Sequence, residues 1–528
     1  MRNPLIERPT QKRASCIRQI EAVSQWDVLV IGGGATGLGI ALDAVSRGYK
    51  TLLLEQSDFA KGTSSRSTKL VHGGVRYLAQ GQLRMVREAS VERGRLHLNA
   101  PHLVKNQTFI IPLYTYWDRL KYTIGLKLYD WIAGSLSLGA SVFISRQQTM
   151  EHLPNIKTTG LIGGVLYHDG QFDDSRLAIN LAQSIFDHGG FALNYVRVNG
   201  LLKDHKQQIS GVVARDMESG IDYRIQGKAV INATGVFVDD ILKMDNPAGS
   251  KSICVSQGVH LVLDKKFFPS GDALMIPATS DGRVLFAVPW HNKVVVGTTD
   301  TPVENASLEP VALEKEIKFI LQTAGEYFTQ APQRSDVLSV FAGLRPLAAP
   351  QGGQQKTKEI SRSHKIIVSP SRLFTIVGGK WTTYRKMGED MVNRIEKTLS
   401  WPQRETTTTS MKIHGYKEPA AIADPFEFYG SDSGNVAALM NGDAKSWISG
   451  DLNIHKAQVL WAVQEEMACT VEDVLARRTR ALLLDAKESI RISGTVAEIM
   501  AKALNKDEEW VKQQVKEYGA MAGKYVLT

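Results

Sequence analysis

The sequence predicts an α/β protein on a parallel sheet, with an inserted antiparallel sheet and an all-helical C-terminal domain. Three observations carry this reading. A β-rich run, a glycine turn, a helix of small residues and a second short strand follow one another near the start. A middle stretch alternates short β-like segments with turn pairs. Beyond a polar linker, apolar residues fall at helical spacing.

The first unit is the most explicit. Residues 27–31 (DVLVI) form an apolar, β-rich run, 38–48 read as a helix, and 51–54 (TLLL) as a second strand ending at Glu55. Two parallel strands joined by a helix make a right-handed βαβ crossover. Between strand and helix stand Gly32, Gly34 and Gly37. In this spacing the first glycine permits a tight turn, the second lets backbone approach a pyrophosphate, and the third lets helix pack on strand. The helix N-terminus adds free N–H groups and a partial positive charge for phosphate. Glu55 stands where a carboxylate accepts ribose hydroxyls. The unit is thus Rossmann-like, and its spacing alone fits FAD or NAD. A second glycine turn at Gly378 and Gly379, and a small-residue strand end at 232–235 (NATG), favour a long cofactor that spans several loops.

The middle segments 255–263, 284–289 and 294–297 are β-like, with turn pairs Asp281-Gly282 and His291-Asn292 between them. Residues 404–412 (RETTTTSMK) read as a linker. Beyond them Val459, Leu460, Val463 and Met467 share one helical side, and Thr470 is placed to cap the next helix with Asp473 three residues on. The expected organisation is a basic extension over 1–25, a dinucleotide-binding region over 26–400, and a helical domain over 401–528. Within the second, cofactor-binding parts fall at about 26–95, 160–250 and 365–400, and the substrate part at about 251–364.

With 43% hydrophobic and 22% charged residues in 528, the composition is that of a globular protein of a few units. The net charge of +9 suits anionic lipid or an anionic substrate, and no long Lys/Arg block marks a nucleic-acid tail, so nucleic acid is not an expected partner. Cys16, Cys254 and Cys469 have neither CxxC nor zinc spacing, so no metal site and no disulfide framework are expected, and a cytoplasmic setting is. Arg2, Arg8, Lys12, Arg13 and Arg18 crowd the first 25 residues without an apolar core, which predicts a mobile basic extension rather than a secretory signal. No run reaches the roughly 20 apolar residues that span a bilayer, so membrane attachment would be peripheral. Residues 117–132 (WDRLKYTIGLKLYDWI) place Trp117, Leu120, Ile124, Leu128, Trp131 and Ile132 on one helical face, with Arg119, Lys121 and Lys127 elsewhere. Such a helix lies in a lipid interface or packs on its own domain.

Longer stretches carry a resemblance. Residues 63–78 (TSSRSTKLVHGGVRYL), 297–300 (GTTD), 341–347 (FAGLRPL), 378–385 (GGKWTTYR) and 472–479 (EDVLARRT) are similar, in order, to those of the FAD-dependent glycerol-3-phosphate dehydrogenases, flavoproteins related to D-amino-acid oxidase. The resemblance covers 26–400 closely and the helical tail more loosely. It implies FAD held without a covalent bond, despite His72 in the flavin-facing loop. It also implies oxidation of sn-glycerol 3-phosphate to dihydroxyacetone phosphate, with electrons passed to membrane quinone or, in an oxidase, to oxygen. A related amine or 2-hydroxy-acid oxidoreductase is the other enzyme reading, and a non-catalytic flavin-fold protein that binds a partner is the reading from another class.

The residues suit that chemistry. Oxidising a secondary alcohol needs a base for the hydroxyl proton, a hydride acceptor, and a clamp for the rest of the substrate. A phosphorylated alcohol calls for Arg and Lys as the clamp. By the resemblance, Ser65, Ser67, Thr68, Lys69, Val71 and Thr382 join the glycines in holding FAD. Arg76, Tyr77 and Arg362 bind substrate, and His260, Arg345 and Lys380 are catalytic. His260 is favoured as base because an unperturbed imidazole, with a pKa near 6.5, takes protons at neutral pH. Arg345 would stabilise alkoxide character. The resemblance also allows a homodimer at the inner face of the cytoplasmic membrane.

Overall fold

The computed structural model describes residues 9–78, 81–277, 279, 282–349, 363–419, 424–440 and 446–527. Two large sheets organise them. The first contains the expected βαβ unit. Leu373–Val377, Asp222–Asn232, Trp26–Ile31, Thr51–Leu54 and Phe191–Leu193 lie side by side and parallel, and Lys365–Val368 closes one edge antiparallel. Trp26 and Val28 to Ile31 are almost wholly buried, as strands covered on both faces must be. The helix Ala35–Ser46 packs against Tyr384–Leu399 at glycine contacts: a Cβ at Gly39 would lie 2.7 Å from the Tyr384 carbonyl oxygen.

The second sheet is larger than the sequence suggests. Its floor is the antiparallel pair Ile253–Asp264 and Val337–Ala348, flanked by Lys293–Gly297, Leu285–Trp290 and Ala273–Ile276. The sheet then continues outside the expected 251–364. Ala273–Ile276 pairs parallel with Val104–Leu113, which pairs with Gly163–Phe172, and Leu70–Val71 and Val142–Ser145 add to that strand. The parts assigned by sequence to the cofactor half thus furnish strands of the substrate sheet. The cause is that parallel junction, which joins segments more than 150 residues apart and leaves no local signal.

The first 25 residues also depart from expectation. The described part, Pro9–Ala22, is a packed helix rather than a mobile arm. Cys16 and Ile20 are buried, Arg13 donates to the Asn194 carbonyl oxygen at 2.6 Å and pairs with Asp216, and Lys12 pairs with Glu465. Two of the five positive charges that suggested an extension, Lys12 and Arg13, are half of two long-range ion pairs.

The C-terminal region is helical apart from the small ladder Trp447–Ser449 with Ile454–His455. Thr470 and Asp473 form the expected reciprocal cap: the Thr470 hydroxyl accepts from the Asp473 N–H at 3.2 Å, and the Asp473 carboxylate accepts from the Thr470 N–H at 3.0 Å. The next residues clamp this region to the first sheet's loops. Arg477 and Arg478, both buried, ion-pair with Asp58, which also accepts from Asn194 Nδ2 at 3.2 Å. Burial alone would raise the Asp58 pKa, but the Arg478 and Arg477 guanidiniums hold it at about 2.

Candidate active site

A groove leads from the glycine turn into the second sheet. Its outer chamber, about 370 Å³, is lined by Gly32, Gly34, Glu55, Thr63, Ala233 and Thr234 among others. The inner chamber, about 290 Å³, is lined by Thr68, His260, Thr298, Arg345 and Thr382 among others. Both include Thr63, Pro346, Gly378, Gly379, Lys380 and Trp381, so the two are continuous through the second glycine turn.

The glycines act as their spacing predicts. Gly32 adopts φ +111°, and a Cβ there would lie 2.6 Å from the Ala233 carbonyl oxygen. Gly34 caps the helix Ala35–Ser46, while a Cβ at Gly37 would collide with the Gly32 carbonyl, so Gly37 serves packing and not the wall. Glu55 accepts N–H groups from Gly33 at 2.6 Å and Ser57 at 2.9 Å, and burial pushes its carboxyl upward. Gly378 and Gly379 take φ +75° and +86°, left-handed values that favour glycine, and so turn the chain between the chambers. The groove thus has a helix N-terminus, a carboxylate at its outer end and a backbone-lined bend. Those features fit a dinucleotide.

The inner floor follows from strand pairing. His260 lies opposite Phe341, Gly258 opposite Gly343, and Ser256 opposite Arg345. Alternate residues of a strand share a face, so all six side-chain positions point one way. The two glycines leave the middle open. A Cβ at Gly258 would strike the Arg345 guanidinium, and one at Gly297, the neighbour of His260 on the other side, would strike the imidazole.

His260 is 2% exposed, its ring stacked on Phe341 with centroids 4.8 Å apart. Its Nε2 lies 2.9 Å from Thr68 Oγ1, and Nδ1 has no partner among the described residues. Burial, and then the charges of Arg345 and Lys69, hold its pKa well below that of a free histidine. The imidazole is thus not the unperturbed one of the sequence reading: its surroundings favour the uncharged, proton-accepting form. Arg345 donates to the Thr299 carbonyl at 3.1 Å and to Thr298 Oγ1 at 3.1 Å, and lies 3.4 Å from Asp300. Lys380 lines both chambers at their junction.

The other expected residues divide. Ser67, Thr68 and Thr382 reach the inner wall, and Thr382 Oγ1 accepts from the His72 N–H at 3.3 Å. Ser65, Lys69 and Val71 do not line either chamber. Lys69 instead pairs with Asp174 at 2.7 Å and donates to the Ser65 carbonyl at 2.6 Å, fully buried, and that burial lowers its pKa. Ser67 also bonds Asp174, at 2.7 Å. These residues fix the loop's shape from behind. Arg76 and Tyr77 lie in the short helix Val75–Leu78, but their side chains, and all of Arg362, fall outside the described residues.

Sequence reasoning missed several contributors. Ser64 Oγ accepts from the Ala35 N–H at 2.9 Å, and its carbonyl accepts from Trp381 Nε1 at 2.8 Å, tying the first loop to the second glycine turn. Thr298, inside a quoted motif but without an assigned role, holds Arg345. Asp169 lines the inner chamber and accepts from Arg93, from Tyr129 at 2.8 Å and from the Gly73 N–H at 3.3 Å. Ser64 and Thr298 carried a signal, their places in the quoted motifs 63–78 and 297–300; Asp169 carried none.

Comparison with known proteins agrees with this geometry. Residues 27–380 match the family model "FAD dependent oxidoreductase", and 372–511 match "C-terminal domain of alpha-glycerophosphate oxidase". The mitochondrial glycerol-3-phosphate dehydrogenase of Bos taurus is 37% identical over 97% of this chain and 75% of its own length. The probable mitochondrial enzyme of Dictyostelium discoideum is 40% identical over 94% and 84%. The solved glycerol-3-phosphate dehydrogenase of Bacillus halodurans, complexed with FAD, is 31% identical, covers 98% of each chain and superposes with a TM-score of 0.80. The glycine cradle, the two-chamber groove and these likenesses over nearly the whole chain agree: this protein belongs to the FAD-dependent oxidoreductases, in the branch of the glycerol-3-phosphate dehydrogenases.

Proposed function

We propose that the protein oxidises sn-glycerol 3-phosphate to dihydroxyacetone phosphate and passes the electrons to a membrane quinone. The observation that carries this reading is the pairing of a buried His260 with Arg345 on one strand floor, at the end of a groove shaped for a dinucleotide. Bound FAD supplies the hydride acceptor. Gly32, Gly34, Glu55, Gly378, Gly379 and Thr382 are the residues that would hold it.

His260 takes the hydroxyl proton as the carbinol hydrogen leaves with its electron pair. Arg345 donates to the oxygen while negative charge builds there. Lys380, with Arg76, Tyr77 and Arg362, is assigned to orienting the phosphate end. A dianionic substrate opposes the two cations that depress the His260 pKa, so its arrival strengthens the base when the base is needed. The oxidoreductase region, the sheet beneath the inner chamber and the helical domain are proposed as the cofactor, substrate and supporting units.

The purified protein, kept anaerobic, is expected to lose its flavin absorbance on addition of glycerol 3-phosphate. Bleaching by an amine or a 2-hydroxy acid in its place would overturn the substrate assignment.

Attachment to the membrane surface has its own support. No helix among the described residues is long and apolar enough to cross a membrane. The helix Tyr116–Ala133 nevertheless exposes the expected face, with Trp117 at 72%, Ile124 at 60% and Trp131 at 80%. A packed helix would hide these side chains, so the lipid interface is the better of the two readings. The protein is expected to sediment with vesicles containing anionic lipid, and Trp117→Ser with Trp131→Ser together to reduce the bound fraction several-fold. Undiminished binding by the double variant would remove this helix as the anchor.

A further inference from the structure

We propose that Glu316 is a positioning residue for the oxidation: its carboxylate fixes the backbone segments that hold His260 and Arg345 in place. The inference rests on the reading of that pair given above. Glu316 stands in the first turn of the helix Glu314–Tyr327 and is 3% exposed. It lines neither chamber of the groove.

Its four hydrogen bonds all come from neutral donors. Oε1 accepts from Thr299 Oγ1 at 2.8 Å and Thr301 Oγ1 at 2.6 Å. Oε2 accepts from Gln257 Nε2 at 2.8 Å and the Leu313 N–H at 3.0 Å. Burying a carboxylate without a cation in its bonding set is costly, and a helix start needs only the bond to Leu313. The other three bonds leave the helix and reach the two segments that frame the site.

Each of these has a consequence one bond further on. Thr299 has given its proton to Glu316, so its Oγ1 can only accept, and it accepts the Val259 N–H at 2.9 Å. Val259 precedes His260. The Thr299 carbonyl accepts from Arg345 Nη1, and Thr298 Oγ1 from Arg345 Nη2. Gln257 precedes Gly258, the position over which Arg345 lies. One carboxylate therefore sets the polarity of a hydroxyl that locks the histidine's strand and anchors the loop that receives the arginine's fork.

Glutamine at this position keeps the shape and loses the pattern. If its NH₂ faces Oε2's partners, it meets two N–H donors. If it faces the threonines, it donates to Thr299 Oγ1, whose own proton then competes with the Val259 N–H.

Rapid-mixing reduction of the holoenzyme by glycerol 3-phosphate tests this. Glu316→Gln is expected to lower the limiting rate about 10- to 100-fold, the scale of a small misplacement of reacting groups. The concentration for half-saturation should stay within about 2-fold, because the phosphate clamp is elsewhere. FAD content should match the parent protein, while the melting midpoint falls modestly because buried donors lose their acceptor. A limiting rate within about 2-fold of the parent would overturn the proposal, as would an equal loss in half-saturation and rate. Should Glu316→Gln fail to fold, Thr299→Val and Thr299→Ser decide: the first is expected to lose about 10-fold and the second to retain the rate, and equal behaviour of the two would overturn it. If the parent enzyme ignores glycerol 3-phosphate but is reduced by another alcohol, the substrate assignment fails, and the same variants assayed with that alcohol judge Glu316.

Discussion

Arg345→Ala is expected to lower the limiting rate of flavin reduction by glycerol 3-phosphate about 100- to 1,000-fold while FAD stays bound. The magnitude is that of deleting a preorganised donor from the place where oxyanion charge develops. Two features make the loss large. The guanidinium is already held by Thr298 and Thr299, so it spends little on reorganisation when charge appears. It also lies over Gly258, where any side chain on that residue would displace it. FAD should remain because the cradle at Gly32, Gly34 and Glu55 belongs to the outer chamber, which Arg345 does not line. Stopped-flow absorbance of the anaerobic variant gives the rate, and its visible spectrum gives the cofactor content. Reduction at the parent rate would remove Arg345 from the chemistry and leave His260 with no partner on the strand floor.

Asp58→Ala is expected to destabilise the folded protein by about 3 kcal/mol, the low end of the cost of breaking a buried ion pair, because each arginine keeps a second anion nearby. Arg477 and Arg478 are both buried against this carboxylate, while Glu472 and Asp473 still face Arg477 and Glu466 still faces Arg478. The loop that carries Asp58 also carries Glu55, Ala60 and Lys61, which line the outer chamber, so retention of FAD should weaken with stability. The pH dependence has a definite sign. The folded pKa, about 2, lies below the 3.8 of a free aspartate, so the pair's contribution is complete above pH 4 and lost as pH falls towards 2. That contribution is of the order of 2–3 kcal/mol. Urea unfolding at neutral pH and at pH 3 measures both effects. An unchanged midpoint in Asp58→Ala would show that the two arginines find other partners.

What could be read in the sequence was local. The Gly32, Gly34 and Gly37 turn, the acid at Glu55 and the bend at Gly378 and Gly379 declare themselves because each meets a backbone demand within a few residues. His260 and Arg345 were found through the motifs around them, and strand pairing then explains their partnership: residues 85 apart share one floor because Gly258 faces Gly343. What could not be read depends on distant partners. Nothing near Arg13 announces Asp216, and nothing near Asp58 announces Arg477. Lys69 and Ser65 were assigned to the cofactor through the motif they stand in, yet Asp174, 105 residues beyond Lys69, turns Lys69 away from the groove. The strand Val104–Leu113 escaped the substrate unit because its neighbour Ala273–Ile276 is remote in sequence. The downward shift of the His260 pKa was illegible for the same reason, since burial and two cations supplied by folding cause it.

The glycine-centred floor has a consequence for how this enzyme can change. Strand residues alternate faces, so sliding either strand by one position would turn its whole row of side chains through the sheet and strip the chamber of a reactive group and its clearance together. Acid–base chemistry here cannot drift in small steps along the backbone. New substrates must be accommodated at the chamber walls, while the arrangement beneath them passes from ancestor to descendant whole.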